Sequence, residues 1–247
     1  MKSTFFLGLL ITASCFVNGQ GNTLYRVNTL TPKPGMKTAF EESWKMHMAT
    51  FHKNTDKRTV YEIVSGPNNG SYVVAQGPIS FGTLDTALPN AKAHGMDLDK
   101  NLSTKLETRG ANNLYRWADT LSYNPLDKAT KFLISVTVVK DGKLSEYLNE
   151  IRRNVLLYTT LNAPYSFSTL IKQQAGNSPT VVTIRNLKNG YKELDMSYYN
   201  LPQNGFKDAY IKEYGQEAWD KRQKLLVDDI VSREQDFEVL RPDLSSK

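Results

Sequence analysis

Residues 25–51 read YRVNTLTPKPGMKTAFEESWKMHMATF, and residues 132–158 read FLISVTVVKDGKLSEYLNEIRRNVLLY. Each stretch opens on an alternating strand, Tyr25–Val27–Thr29–Thr31 in the first and Phe132–Ile134–Val136–Val138 in the second. Each then passes through a glycine, Gly35 or Gly142, into a pattern of helical period. At one constant offset Phe40 answers Tyr147, Trp44 answers Ile151, Met48 answers Val155 and Phe51 answers Tyr158. The chain is written twice, and an internal repeat constrains architecture more tightly than any single motif.

Working outward, the first copy continues with a strand near Val60–Val64, a hairpin turn Gly66-Pro67-Asn68-Asn69-Gly70 and a returning strand Ser71–Gln76. A helical region starts near Phe81, breaks around Pro89 and Gly95, and resumes through Leu98, Leu102 and Leu106. Asn113–Leu121 then predicts a fourth strand. The second copy offers helix Leu144–Leu157, strands Ser166–Lys172 and Thr180–Arg185, an insertion Asn189 to Gly205, helix Phe206–Val231 and a last strand Gln235–Leu240. Each copy therefore reads β-α-β-β-α-β, the ferredoxin-like order.

A four-stranded sheet with helices on one face must cover its other face. The sister copy is the nearest cover. The expected fold is α+β, two tandem ferredoxin-like repeats whose antiparallel sheets pack into a shared barrel. The expected divisions are a leader over 1–19, a first repeat over 20–125 and a second over 126–247, with Asn124-Pro125-Leu126-Asp127 joining the copies.

The leader reading rests on Lys2 followed by the apolar run Phe5–Ile11, too short to span a bilayer, which takes about 20 residues. Cleavage after Gly19 would leave Gln20 as the terminus. The alternative is a lipoprotein box, Thr12-Ala13-Ser14-Cys15, with lipid on Cys15, the only cysteine in the chain. The expectation is an exported bacterial protein, periplasmic or extracellular, with a disulfide-free core. The formal charge is +6, but the basic residues are scattered among acids, as in Lys140-Asp141-Gly142-Lys143. No basic stripe interleaved with aromatics predicts nucleic-acid binding, and no stretch predicts a transmembrane helix.

With the strand–Pro-Gly–helix opening, the span from Val27 to Trp44 and the late strands Leu114–Tyr123 and Phe237–Ser245, the chain resembles the dimeric α+β barrel superfamily in a fused form. The likeness is greatest to NIPSNAP-like and antibiotic-biosynthesis-monooxygenase-like domains, and it also extends to heme-degrading enzymes and chlorite dismutases. It implies an intramolecular pseudo-dimer. It does not carry one chemistry, since these relatives differ in theirs. Fused barrels of the chlorite dismutase kind use a histidine of the second copy for heme, and the second copy here has none, so no heme is expected.

The three histidines are His47, His52 and His94. The first helix reads from about Met36 to Lys53, and on it His47 and His52 stand about 140° apart around the axis, too far to share an ion, while His94 with Asp97 makes a two-ligand fragment. No metal and no cofactor are therefore expected. His47 borders the apolar stripe Phe40, Trp44 and Phe51 and corresponds to Asn154 in the second copy, so Trp44, His47 and Asn154 are the candidate ligand-binding residues. The leading expectation is an unassigned activity with binding of a small apolar molecule between helices and sheet. The alternative is a cofactor-independent oxygenase acting on an aromatic substrate, with His47 as base and Trp44 and tyrosines as walls. An assembly role would be signalled by an exposed apolar patch near Tyr198-Tyr199.

Overall fold

The period-2 stretches of the sequence become strands, and their alternation decides which face each residue serves. The computed structural model describes residues 23–247 apart from 54–55, 87, 89, 126–127, 174–177, 196–197 and 199–204. The proposed leader and Cys15 thus lie outside the described residues, as do part of the linker and about half of the second-copy insertion, Tyr199 included.

The first copy runs β1 (Leu24–Pro32), α1 (Lys37–Phe51), β2 (Thr59–Ser65), β3 (Tyr72–Ile79), a short α2 (Phe81–Leu84), α3 (Ala91–Asp97), β4 (Leu106–Arg109) and β5 (Asn113–Trp117). Between α3 and β4 the chain winds through a π-helical turn, Leu98–Leu102, and one 3-10 turn, Ser103–Lys105. The second copy runs β6 (Lys131–Val139), α4 (Leu144–Thr160), β7 (Phe167–Lys172), β8 (Thr180–Asn186), α5 (Gly205–Tyr214), α6 (Gln216–Asp228) and β9 (Ile230–Leu240). The turn glycines entering α1 and α4 are matched even in backbone: Gly35 has φ +76° and Gly142 φ +77°, the left-handed region that glycine enters without a Cβ penalty.

Within the first copy the strand order is β2-β3-β1-β5, and within the second it is β9-β6-β8-β7. The copies join where β2 pairs with β9 and β5 with β7, and the β1–β3 pairing makes the eight strands a closed antiparallel barrel. Each joint sets the second strand of one copy against the last strand of the other, the relation a two-fold axis would impose. Closure removes the exposed edges that two separate sheets would carry.

Three apolar clusters follow from this layout. Phe132, Ile134, Leu170 and Val182 fill the barrel interior with Tyr25, Tyr61, Tyr115 and Trp117. On the outer face of the first sheet α1 buries Phe40, Trp44 and Met48 against Leu30, Val60 and Val74, with Leu244 from the C-terminal segment closing the side. Tyr147, Ile151 and Leu157 of α4 do the same for the second sheet with Leu225 of α6.

Several boundaries differ from the sequence expectation. The long second-copy helix is two helices parted at Gly215, whose φ of +86° stops α5. Strand β9 starts at Ile230, inside what had read as helix. Gly95 lies within α3 and does not break it, while Leu106 belongs to a strand. The expected fourth strand, Asn113–Leu121, is shorter, ending at Trp117 before a 3-10 turn at Asp119–Leu121. Strand β4 precedes it on the same edge, β5 pairing with the first half of β1 and β4 with its second half.

The barrel interior holds a carboxyl out of keeping with its apolar surroundings. Glu238 faces Phe132 and Ile63 across the sheet and is buried, with Asp236 two residues away. Burial first, and the Asp236 charge second, push its carboxyl up to about 8. Between the ordinary glutamate value and about 8 the folded chain keeps a proton that the unfolded chain releases. Its share of stability is therefore fully present at acid pH and is lost as pH rises through about 8. Glu238→Gln is expected to flatten that dependence. Denaturant unfolding of both proteins between pH 5 and 9 checks this: the variant should gain on the wild type as pH rises, and parallel curves would contradict the burial account.

Candidate functional site

Helix α1 ends one residue before a histidine, and that ending builds the site. His47 lies on the inward stripe of α1, buried beside Trp44, with ring centroids 5.5 Å apart. His52 caps the helix with φ −113° and ψ 71°, so the chain has left helical geometry at that residue. The 140° separation expected for a continuous helix does not apply, and His52 turns back so that its Nε2 lies 3.1 Å from Nε2 of His47. His94 arrives from α3 and puts its Nε2 3.2 Å from that of His52. The three ligating nitrogens all lie within 4.8 Å of one another. The expectation that these histidines could not share an ion is thus corrected by the geometry.

The other ring nitrogens explain how the cluster is oriented. His47 Nδ1 lies 2.7 Å from Asp97 Oδ2 and His52 Nδ1 lies 2.7 Å from Asp56 Oδ2. A carboxylate accepts, so each Nδ1 carries the proton and donates. In the neutral ring Nε2 is then the acceptor, so the Nε2 atoms of His47 and His52, 3.1 Å apart, need a proton or a cation between them. Asp97 is no second ligand beside His94, as its spacing had suggested; it aims His47. It is itself held by Asn101 Nδ2 at 2.7 Å. Asp56 is held by Gln76 Nε2 at 2.6 Å and by Arg58 at 2.9 Å.

Protonation of His47 and of His94 is disfavoured. Burial is the main cause that brings His47 down to about 4, outweighing the Asp97 hydrogen bond, with the neighbouring histidines acting in the same direction as burial. His94 is lowered first by burial and then by His52 and Arg58. Burial alone would raise Asp97, but hydrogen bonds from Asn101 and His47 win and hold it below the ordinary value. Asp56 is likewise lowered on balance by His52 and Arg58 despite its burial.

A cavity of about 270 Å³ opens beside the histidines, between α1, α3 and the outer face of the sheet. Trp44 and Leu102 are among its apolar walls. Its sheet side is polar: Arg26 and Asn28 alternate with Leu30 on the helix-facing side of β1. The second copy holds the equivalent cavity, about 320 Å³, lined by Ile151, Asn154 and Tyr158. Trp44 and His47 therefore come together as expected, whereas Asn154 occupies a separate pocket, where its Oδ1 has no hydrogen-bond partner among the described residues. Sequence reading set aside His52 and His94 and did not find Asp56 behind His52 or Asp97 behind His47. The signal that would have found them is the helix end at Phe51, which frees His52 from the helical spacing.

The sequence matches no protein-family model and no curated protein sequence. Solved structures are similar in fold. An anthrone oxidase-like protein shares 11% identity at a TM-score of 0.57, covering 91% of this chain and 94% of its own. A provisionally assigned monooxygenase from Lactobacillus acidophilus NCFM shares 9% at 0.53, covering 92% and 96%. Chlorite dismutase from Candidatus Nitrospira defluvii, in complex with imidazole, shares 8% at 0.51, covering 90% and 93%.

Proposed function

From a chain that has the dimeric α+β barrel fold in fused form, we propose that it is a metal-dependent enzyme acting on a small molecule in the first-copy cavity. His47, His52 and His94 hold one divalent transition-metal ion. The observation that carries this is the pair of Nε2 atoms 3.1 Å apart, each on a ring whose Nδ1 is 2.7 Å from a carboxylate. Two nitrogens bound at 2.0–2.1 Å in a tetrahedral site stand about 3.3 Å apart, so the spacing is that of a shared ion. Carboxylates behind metal-binding histidines fix the tautomer and raise ligand basicity.

Imidazole ligands suit zinc, copper, iron and nickel. Three protein ligands leave coordination positions open toward the cavity, the arrangement of catalytic rather than structural sites. His47, His52 and His94 bind and orient the ion, Asp97 and Asp56 fix the tautomers that present Nε2 of His47 and His52 to it, and Trp44 and the leucines keep bulk water from the apolar side. An oxygenase is the reaction class best supported, since proteins described as monooxygenase and anthrone oxidase-like share the fold.

The second reading is the cofactor-independent oxygenase with His47 as base, favoured by the cavity that touches His47. Against it, the only free nitrogen of His47 faces His52. Metal analysis of the purified chain after cobalt loading separates the two. One cobalt per chain with the visible spectrum of a nitrogen-ligated low-coordinate site is expected, and a colourless protein with no bound ion would defeat the metal reading. We also propose that the chain is exported, and intact-mass measurement of the native protein should show a terminus at Gln20 or a lipidated Cys15.

A further inference from the structure

The walls of the first-copy cavity are unbalanced in charge, and this suggests what it receives. Three arginines, Arg26, Arg58 and Arg109, line it, and no acidic residue does. Arg58 is paired with Asp56, but its Nε is buried without a hydrogen-bond partner. Neither Arg26 nor Arg109 has a carboxylate partner among the described residues. The two nearest acids, Asp56 and Asp97, are both committed behind the histidines.

Strand register explains why these cations converge. Arg26 faces Gln76 across the β1–β3 pair, Asn28 faces Val74, and Leu30 faces Tyr72 on one side and Arg109 on the other. Directly opposed residues share a face, so Arg26, Asn28 and Arg109 all stand on the side covered by α1. Asn28 gives its amide to Asn112 at 3.2 Å and leaves its Oδ1 buried and unsatisfied. The opposite wall is apolar, with Leu98, Leu102 and Leu106.

Resting on the metal reading above, we infer that the substrate is a small organic acid. Its carboxylate is received by Arg26 and Arg109, with the charge of Arg58 behind them, and its apolar body lies along the leucine wall beside the ion. An arginine fork matches a carboxylate in two parallel hydrogen bonds. The small apolar ligand expected from the sequence thus acquires a charged end.

Benzoate and its neutral isostere benzamide, titrated calorimetrically into the cobalt-loaded chain, test the assignment. Benzoate should bind, with benzamide about 10-fold weaker or more. Arg26→Gln and Arg109→Gln should each lose roughly 10- to 100-fold in benzoate affinity, the loss of a charge-assisted hydrogen bond, and Arg26→Lys should recover part of it. Each variant should still take up one cobalt with an unchanged visible spectrum, which shows that it is folded and that the ion site is intact. Equal binding of benzoate and benzamide, no benzoate binding, or an Arg26→Gln variant with wild-type affinity would overturn the inference. If the wild type takes up no cobalt, the metal reading fails by itself, and the same titrations on the metal-free chain decide the anion site separately.

Discussion

His52→Ala is expected to abolish stoichiometric metal binding while leaving the barrel folded. His52 is the hub of the cluster, 3.1 Å from the ligating nitrogen of His47 and 3.2 Å from that of His94. Removing an outer carboxylate from a ligating histidine costs about 10- to 100-fold in affinity. Asp97→Asn should fall in that range, and loss of His52 itself should exceed it. A native-state ligand at about 1,000 times its dissociation constant adds about 4 kcal/mol of stability. At about 2–4 °C per kcal/mol for a chain of this size, saturating zinc should raise the wild-type melting point by roughly 8–16 °C. The His52→Ala chain should melt near the metal-free wild type and gain nothing. A variant that still responds to zinc as the wild type does would remove His52 from the site.

Trp44→Ala should have the largest effect on stability, about 3–5 kcal/mol by the usual range for a buried tryptophan. Trp44 is 5% exposed, stacks on Phe40 with ring centroids 6.0 Å apart, and donates Nε1 to the Leu244 carbonyl at 3.1 Å. It thus ties α1 to the C-terminal segment and forms a wall of the cavity beside His47. Truncation loses the apolar contacts, leaves a void and orphans a buried carbonyl. Trp44→Phe keeps most of the ring packing and removes the donor, so a loss nearer about 1 kcal/mol is expected. Urea unfolding of the three proteins measures both values; a Phe variant as unstable as the Ala variant would mean that the bond to Leu244, rather than packing, dominates.

The parts of this protein readable without coordinates are those set by local pattern. Tyr25–Thr31 and Phe132–Val138 alternate because one face of each strand is buried in the barrel and the other lies under a helix, and Gly35 and Gly142 mark equivalent turns. Phe40, Trp44 and Met48 recur at helical spacing because α1 presents one stripe to the sheet. Trp44 and His47 were accessible as site candidates for that reason: they share the inward face.

The exceptions share a different cause. Gly215 divides a pattern that reads as one helix, because a left-handed backbone at one residue outweighs periodicity across it. His52 looked misplaced because angular spacing holds only while a helix continues, and α1 stops at Phe51. His94 and Asp97 come from a segment with little periodicity of its own, brought over α1 by the π-helical turn and the contacts of Leu98 and Leu102. Arg26 and Arg109 lie 83 positions apart, and only the register of β1 with β4 sets them on one face.

The sequence alone therefore determined the repeat, the ferredoxin-like order and the barrel, because burial of a sheet face is written in the alternation of neighbouring residues. Tertiary structure alone decided that three dispersed histidines meet, with two acids behind them and arginines in front. Convergence of that kind depends on where a helix ends and which strands pair, and neighbouring residues carry no record of it.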